Sequence, residues 1–447
     1  MREAIVLATP VFFLLIAIEL MVERRRTRRA VRHASGLAPY GPTRGGSAAL
    51  ADRHASGLAP YGPTRGGSAA LADRHASGLA PYGPTRGGSA ALADPRAARD
   101  YRFWDTVCNL ACGSGQQVLG VFLLPLVIWT YEAVRARFGL FALDAASPLV
   151  WVGTFLGVDC LYYWFHRSSH RVNLFWAAHA VHHQSEHYNQ GVALRQSWLQ
   201  QVFSFGFYLP LAVLGVPASV YLTCVAADTL YQFWIHTRLI QRMGPLEAVL
   251  NTPSHHRVHH GVEDAYLDRN HAGVLIVWDR LFGTFEPEAA EPSYGTVKPL
   301  RSVNPVWANL EPYVELWRRA GRMPRLWDRV QLWVRPPEWK GVGELPAPGP
   351  LRTDADYTLY EPAPSVGRAL YGAVSFAVVL GMLLLLLGGT LSGPSCPPGL
   401  EAAVGVWILF SLGTLGGLAE QRPWFQGAEL TRWVLLAALF AWRVALV

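Results

Sequence analysis

Residues 159–183, DCLYYWFHRSSHRVNLFWAAHAVHH, and residues 252–261, TPSHHRVHHG, carry nine histidines, eight of them in three short clusters. These are His166 and His170; His179, His182 and His183; and His256, His259 and His260. Positions i, i+3 and i+4 lie on one face of an α-helix, so each cluster is expected to be helical and to aim its imidazoles at a common point. One such pair would be an ordinary couple of surface or core side chains. Three, with twelve of the fifteen histidines packed between His166 and His271, predict a metal cage, because imidazole near pH 7 is neutral and offers a lone pair. The fold implied is all-α.

Working outward, the flanks are apolar. Of the 447 residues 51% are hydrophobic and 16% charged, which excludes an ordinary soluble multidomain protein. Residues 4–22 are long enough for one membrane span of roughly 20 residues, with Glu19 expected to reach the interface from its end. The arginines of ERRRTRR follow this run where a signal peptide would have them before it. They predict an outward N-terminus and a cytoplasmic flank. Further apolar runs occupy 118–134, 148–165, 198–235, 368–390, 402–419 and 430–446. The run Trp198–Ile235 is nearly twice one span and reads as a hairpin turning near Pro210 and LGVPAS. Alternating from an outward N-terminus puts all three clusters on the cytoplasmic side. The chain is therefore expected to be a multi-span helical integral membrane protein with a cytoplasmic histidine-rich di-metal cap.

Residues 32–94 are three identical copies of RHASGLAPYGPTRGGSAALAD, too rich in Gly, Pro, Ser and Ala to stack as a solenoid and expected to form a disordered linker. His33, His54 and His75 are copies of one repeat position and are not counted as ligands. The organisation expected is a first transmembrane helix with its basic flank (1–31), the linker (32–94), a membrane-embedded core holding the histidine clusters (95–300), a cytoplasmic interfacial segment (301–367) and C-terminal transmembrane helices (368–447). In the interfacial segment Trp307, Trp317, Trp327, Trp333 and Trp339 alternate with arginines, a pattern suited to helices lying among lipid headgroups. The five cysteines give no disulfide framework and no zinc set. The net charge of +7 is explained by anionic lipid and calls for no nucleic acid.

One metal takes four to six ligands, so eight or more histidines have room for two. Iron is the occupant with the most useful chemistry, since it activates dioxygen and the adjoining membrane supplies apolar substrates. Asp159, two helical turns before His166, is expected to orient an imidazole through its second nitrogen or else to be a buried polar residue of the bundle.

The stretches DCLYYWFHRSSH, HAVHHQSEHYNQGVALRQSW, QFWIHT and NTPSHHRVHHGVEDAYLDRNHAGVLIVWDRLFGTFEPE resemble the fatty acid hydroxylase (sterol desaturase) superfamily of membrane di-iron oxygenases, and within it the alkylglycerol monooxygenase branch. The resemblance runs from about Asp105 to Phe285. It implies two irons on His166, His170, His179, His182, His183, His256, His259 and His260, with His236 of WIHT as a ninth ligand. It leaves His255 facing solvent or standing behind the ligands, does not require His187, and gives His271 a packing role. The implied reaction is O2-dependent hydroxylation of a lipid alkyl chain, next to an ether oxygen in the alkylglycerol branch. The implied reductant is tetrahydrobiopterin or another external reductant; no pterin, flavin or nicotinamide motif is evident, so a separate electron donor is expected. A sterol, fatty acyl or carotenoid hydroxylase or desaturase of the same superfamily would carry the same histidines. A metal transporter would place its ligands near the membrane midplane, whereas these lie at the ends of apolar runs.

Overall fold

The computed structural model describes residues 2–36, 101–344, 351–353, 356–363, 365–391 and 396–444. The expected repeat linker lies outside the described residues from position 37 onward. Contacts divide the chain into two units, residues 1–23 with 100–447 and residues 24–99; His166 to His271 belong to the first. Among the described residues the regular structure is helical, and the β contacts are two isolated bridges, Leu250 with Leu275 and Gly261 with Tyr294.

The first apolar run forms α1 (Arg2–Gly36), which continues through the arginines. Glu19 turns into the protein. It is buried and accepts hydrogen bonds from the Tyr101 hydroxyl, the Thr237 hydroxyl and, at 2.9 Å, the Gln190 N–H. A carboxylate at this point of an apolar helix needs donors, and the protein supplies three.

Helices α2 (Phe103–Phe138), α12 (Val366–Leu387) and α13 (Leu400–Ala419) are each long and apolar enough to cross a membrane. In α2, Asp105 sits in the first turn and Arg135 and Arg137 in the last, matching the helix dipole. Val118 and Val121 of α2 pack with Phe376, Val379, Val404 and Ile408, a contact that in lipid depends on close fit. The other two expected runs form α3 (Pro148–Arg171) and α14 (Phe425–Val444), which carry Asp159 and the Glu429–Arg432 pair.

The expected hairpin is α6 (Gln200–Val213) and α7 (Ala218–Trp234). Pro210 lies inside α6, and the chain turns at 214–217. Gly215 decides this: its φ is +93°, and a Cβ there would lie 1.9 Å from the Phe141 carbonyl oxygen, so only glycine can occupy it. At 1.5 Å per residue the two helices are about 21 and 26 Å long, each short of a hydrocarbon core of ~30 Å.

Short helices build the remainder: α4 (Asn173–His183), α5 (Gln190–Ala193), α8 (Pro253–His259), α9 (Val277–Phe282), α10 (Pro305–Arg322) and α11 (Leu326–Gln331). Asn304 caps α10 by accepting from the N–H groups of Val306 and Trp307. Leu316 and Ala320 of α10 pack with Ala177 of α4, Met323 and Leu332. The tryptophans of this region divide. Trp333 and Trp339 join that cluster, while Trp317 and Trp327 are 73% and 68% exposed and suit a headgroup layer.

Candidate metal centre

Helix α3 ends at Val172, whose extended backbone (φ −128°, ψ 116°) starts α4 in a new direction. The first two histidine clusters thereby face one another, and α8 brings the third. Nine buried histidines form two groups, in each of which the nearest ring nitrogens lie within 4.8 Å of one another. One group is His166, His170, His179, His183 and His259; the other is His182, His236, His256 and His260. All nine are 1–6% exposed.

The clusters do not each aim at one point, as their spacing suggested. His182 and His183 are about 100° apart around α4 and go to different groups, and His259 parts from His256 and His260 in the same way. Helices α4 and α8 therefore each serve both groups, α3 serves the larger, and His236, just past α7, completes the smaller.

Outer hydrogen bonds fix the tautomers. His166 Nδ1–H donates to the His271 carbonyl at 2.8 Å, His179 Nδ1–H to Gln200 Oε1 at 3.2 Å, His182 Nδ1–H to the Arg195 carbonyl at 3.1 Å, His236 Nδ1–H to the Gln232 carbonyl at 2.7 Å and His259 Nδ1–H to the Arg269 carbonyl at 2.9 Å. A neutral imidazole with its proton on Nδ1 has a bare lone pair on Nε2. Yet His166 Nε2 lies 2.9 Å from His179 Nε2, and His236 Nε2 lies 3.2 Å from His182 Nε2. The Nε2 atoms of His170, His259 and His260 are buried with no hydrogen-bond partner. Converging lone pairs without protons between them are the donor set of a metal ion, and these residues fit one in each group.

Burial, together with neighbouring imidazoles, holds His182, His183, His256, His259 and His260 well below the ordinary histidine range. Burial takes His179 down to about 4. An unfolded histidine takes up a proton near pH 6.5 and folded His179 only near 4, so its stabilising contribution is present above about pH 6.5 and is lost progressively as pH falls toward 4. That amounts to roughly 3 kcal/mol for this residue alone. The metal-free protein should therefore unfold at progressively lower denaturant as the buffer goes from pH 7 to 4.5, and a flat profile would contradict it.

Among the other predicted residues, His271 packs against the site: its ring is fully buried, 5.0–5.7 Å from those of His166, His170 and His259, and belongs to neither group. His255 is 2% exposed and edge-on to Phe285, so it does not face solvent. His187 is buried outside both groups. Asp159 does not orient an imidazole. Its oxygens accept from the Val274 and Leu275 N–H groups and from Trp278 Nε1–H at 2.7, 3.1 and 2.8 Å, because α3 turns that face toward the segment after His271.

Two fully buried arginines were missed. Arg195 of ALRQS donates to the Val181 carbonyl, Asn109 Oδ1 and Gln184 Oε1 while its own carbonyl receives His182. Arg257, between His256 and His259, donates to Glu288 and to the Thr237 and Ile240 carbonyls. The available signal was a cation inside a ligand-bearing run, where only a dense acceptor set would tolerate it.

Buried histidines in two adjoining groups, on a helical chain with segments long and apolar enough to cross a membrane, suit a histidine-built metal site. Residues 151–284 match the family model described as fatty acid hydroxylase. The chain is 38% identical over 326 residues to alkylglycerol monooxygenase of Xenopus tropicalis, covering 72% of each chain. It is 37% identical over 343 residues to alkylglycerol monooxygenase of Homo sapiens, covering 76% of each. Ornithine lipid hydroxylase OlsE of Rhizobium tropici is 32% identical over 127 residues, 28% of this chain and 38% of that one. No solved structure matches the chain. The chain belongs to the fatty acid hydroxylase family, together with the alkylglycerol monooxygenases.

Proposed function

We propose that the protein is an O2-dependent monooxygenase of ether lipids, holding two irons on the nine histidines and hydroxylating the alkyl carbon beside the ether oxygen of an alkylglycerol. The observation that supports the metal most is the pair of facing Nε2 lone pairs, at 2.9 Å in one group and 3.2 Å in the other. The relatives named alkylglycerol monooxygenase, matched over about three quarters of each chain, support the substrate.

Iron, when bound and reduced, supplies the activation of dioxygen. The chain's own part is to hold nine imidazoles in fixed tautomers, to exclude water by burying them, and to position one methylene of the lipid. In balance, one O2, two electrons and two protons convert the ether's methylene to a hemiacetal and release one water. The hemiacetal then loses its C–O bond to give a fatty aldehyde and free glycerol. The two electrons come from an external reductant, a tetrahydropterin being the reading taken from the resemblance. The arginines after the apolar part of α1 support a cytoplasmic site, within reach of such a donor.

Purified iron-loaded protein supplied with 1-O-alkylglycerol, oxygen and tetrahydrobiopterin should yield fatty aldehyde and glycerol in equal amounts. A hydroxylated sterol or acyl product with no aldehyde would move the substrate elsewhere in the family. No oxidised lipid with any reductant would sink the reading altogether.

A further inference from the structure

Behind the histidines lie two buried carboxyls that face each other, Asp159 of α3 and Asp228 of α7, 0% and 2% exposed. Their Oδ1 atoms flank the same point of the chain at Gly273, and neither carboxyl forms an ion pair with a lysine or arginine among the described residues. Gly273 leaves no room for a side chain beside them. A Cβ on Gly273 would lie 2.9 Å from Asp228 Oδ1 and 3.1 Å from Asp159 Oδ1. Carboxyls in contact without a cation hold a proton between them.

The remaining partners say which one carries it. Both oxygens of Asp159 already accept, from Val274 N–H, Leu275 N–H and Trp278 Nε1–H, so Asp159 is an acceptor throughout. Asp228 Oδ2 accepts from Gln232 Nε2–H at 2.7 Å, while its buried Oδ1 has no N–H or hydroxyl donor. We propose that Asp228 is a protonated positioning residue whose O–H holds Asp159, so that the pair ties the two histidine groups together.

Asp159 anchors the backbone just past His271, whose carbonyl receives His166. Asn251, two residues before α8, donates to the Ala272 carbonyl at 2.7 Å in that same segment. On the other side Gln232, held by Asp228, offers its carbonyl to His236. One shared proton thus sits between the supports of His166 and α8 and the support of His236.

The inference rests on the histidines binding metal, which the metal content of the parent protein tests by itself; the variants are read relative to that parent. Asp228→Asn keeps the geometry, since its amide donates to Asp159 and its oxygen accepts from Gln232. It should retain the parent's iron stoichiometry. Asp159→Asn turns an NH2 group toward N–H donors and should weaken iron binding at least about tenfold. The infrared spectrum of the detergent-solubilised full chain should show a protonated-carboxyl C=O band that disappears in Asp228→Asn. Equal loss of iron in both variants, full retention in both, or a band that survives in Asp228→Asn would each overturn the proposal. The last readout holds even if Asp159→Asn fails to fold.

Discussion

Alanine at His182 should cost more metal than alanine at His259. His182 belongs to the four-histidine group, which would fall to three ligands, whereas loss of His259 leaves four in the larger group. Three imidazoles leave an open coordination site and a weaker hold on the ion. His182→Ala should therefore lower the iron content of the purified protein from about two per chain toward one, with turnover reduced by more than ~100-fold, beyond what outer partners of a metal ligand usually cost. His259→Ala should keep more iron yet lose a comparable share of turnover. Membrane insertion should persist in both, since the contacts among α2, α12 and α13 involve neither residue. Iron analysis beside a turnover assay decides the matter. Full iron and full activity in both variants would remove the ligand assignment, and a larger iron loss in His259→Ala would reverse the grouping.

Arg257→Met should be among the most destabilising single changes in the cap. The guanidinium is 2% exposed, and it donates to both oxygens of Glu288, at 2.7 and 2.6 Å, and to two backbone carbonyls. Removing it strands a carboxylate that is only 12% exposed. Breaking a buried pair from one side costs about 3–5 kcal/mol, chiefly through the charge left behind. Because Arg257 lies between His256 and His259 on a seven-residue helix, loosening it reaches both metal groups, so iron content should fall with stability. The double variant Arg257→Met, Glu288→Leu strands no charge and should regain most of the lost stability. Denaturant midpoints of the parent, the two single variants and the double variant form the test. A double variant no better than Arg257→Met would show that the carbonyl contacts dominate instead.

The helical class, the participation of every clustered histidine and the membrane-crossing character of α2, α12 and α13 were all legible locally, because they depend on periodicity within one segment and on the length of apolar runs. His236 was legible only through resemblance. It stands alone after α7 with no helical partner, and the histidines it meets, His182 and His256, lie 54 and 20 residues away. Of the two turn signals, LGVPAS holds the turn, at Gly215, while Pro210 stays inside α6, since a proline near the end of a helix costs little whereas the positive φ at Gly215 tolerates no other residue.

What the sequence by itself determined is therefore which faces carry the imidazoles and which runs are apolar enough for lipid: both follow from side-chain type and the 3.6-residue repeat. Only the tertiary structure decided how the faces meet. It divided His182 from His183 and His259 from His256 and His260, buried Glu19 against Thr237, and set Asp159 against Asp228 and the segment after His271. These pairings join residues far apart in the chain, and no local spacing relates them. They are set by the crossing of α3, α4, α7 and α8, where each buried polar group must find its partner or forfeit its hydration.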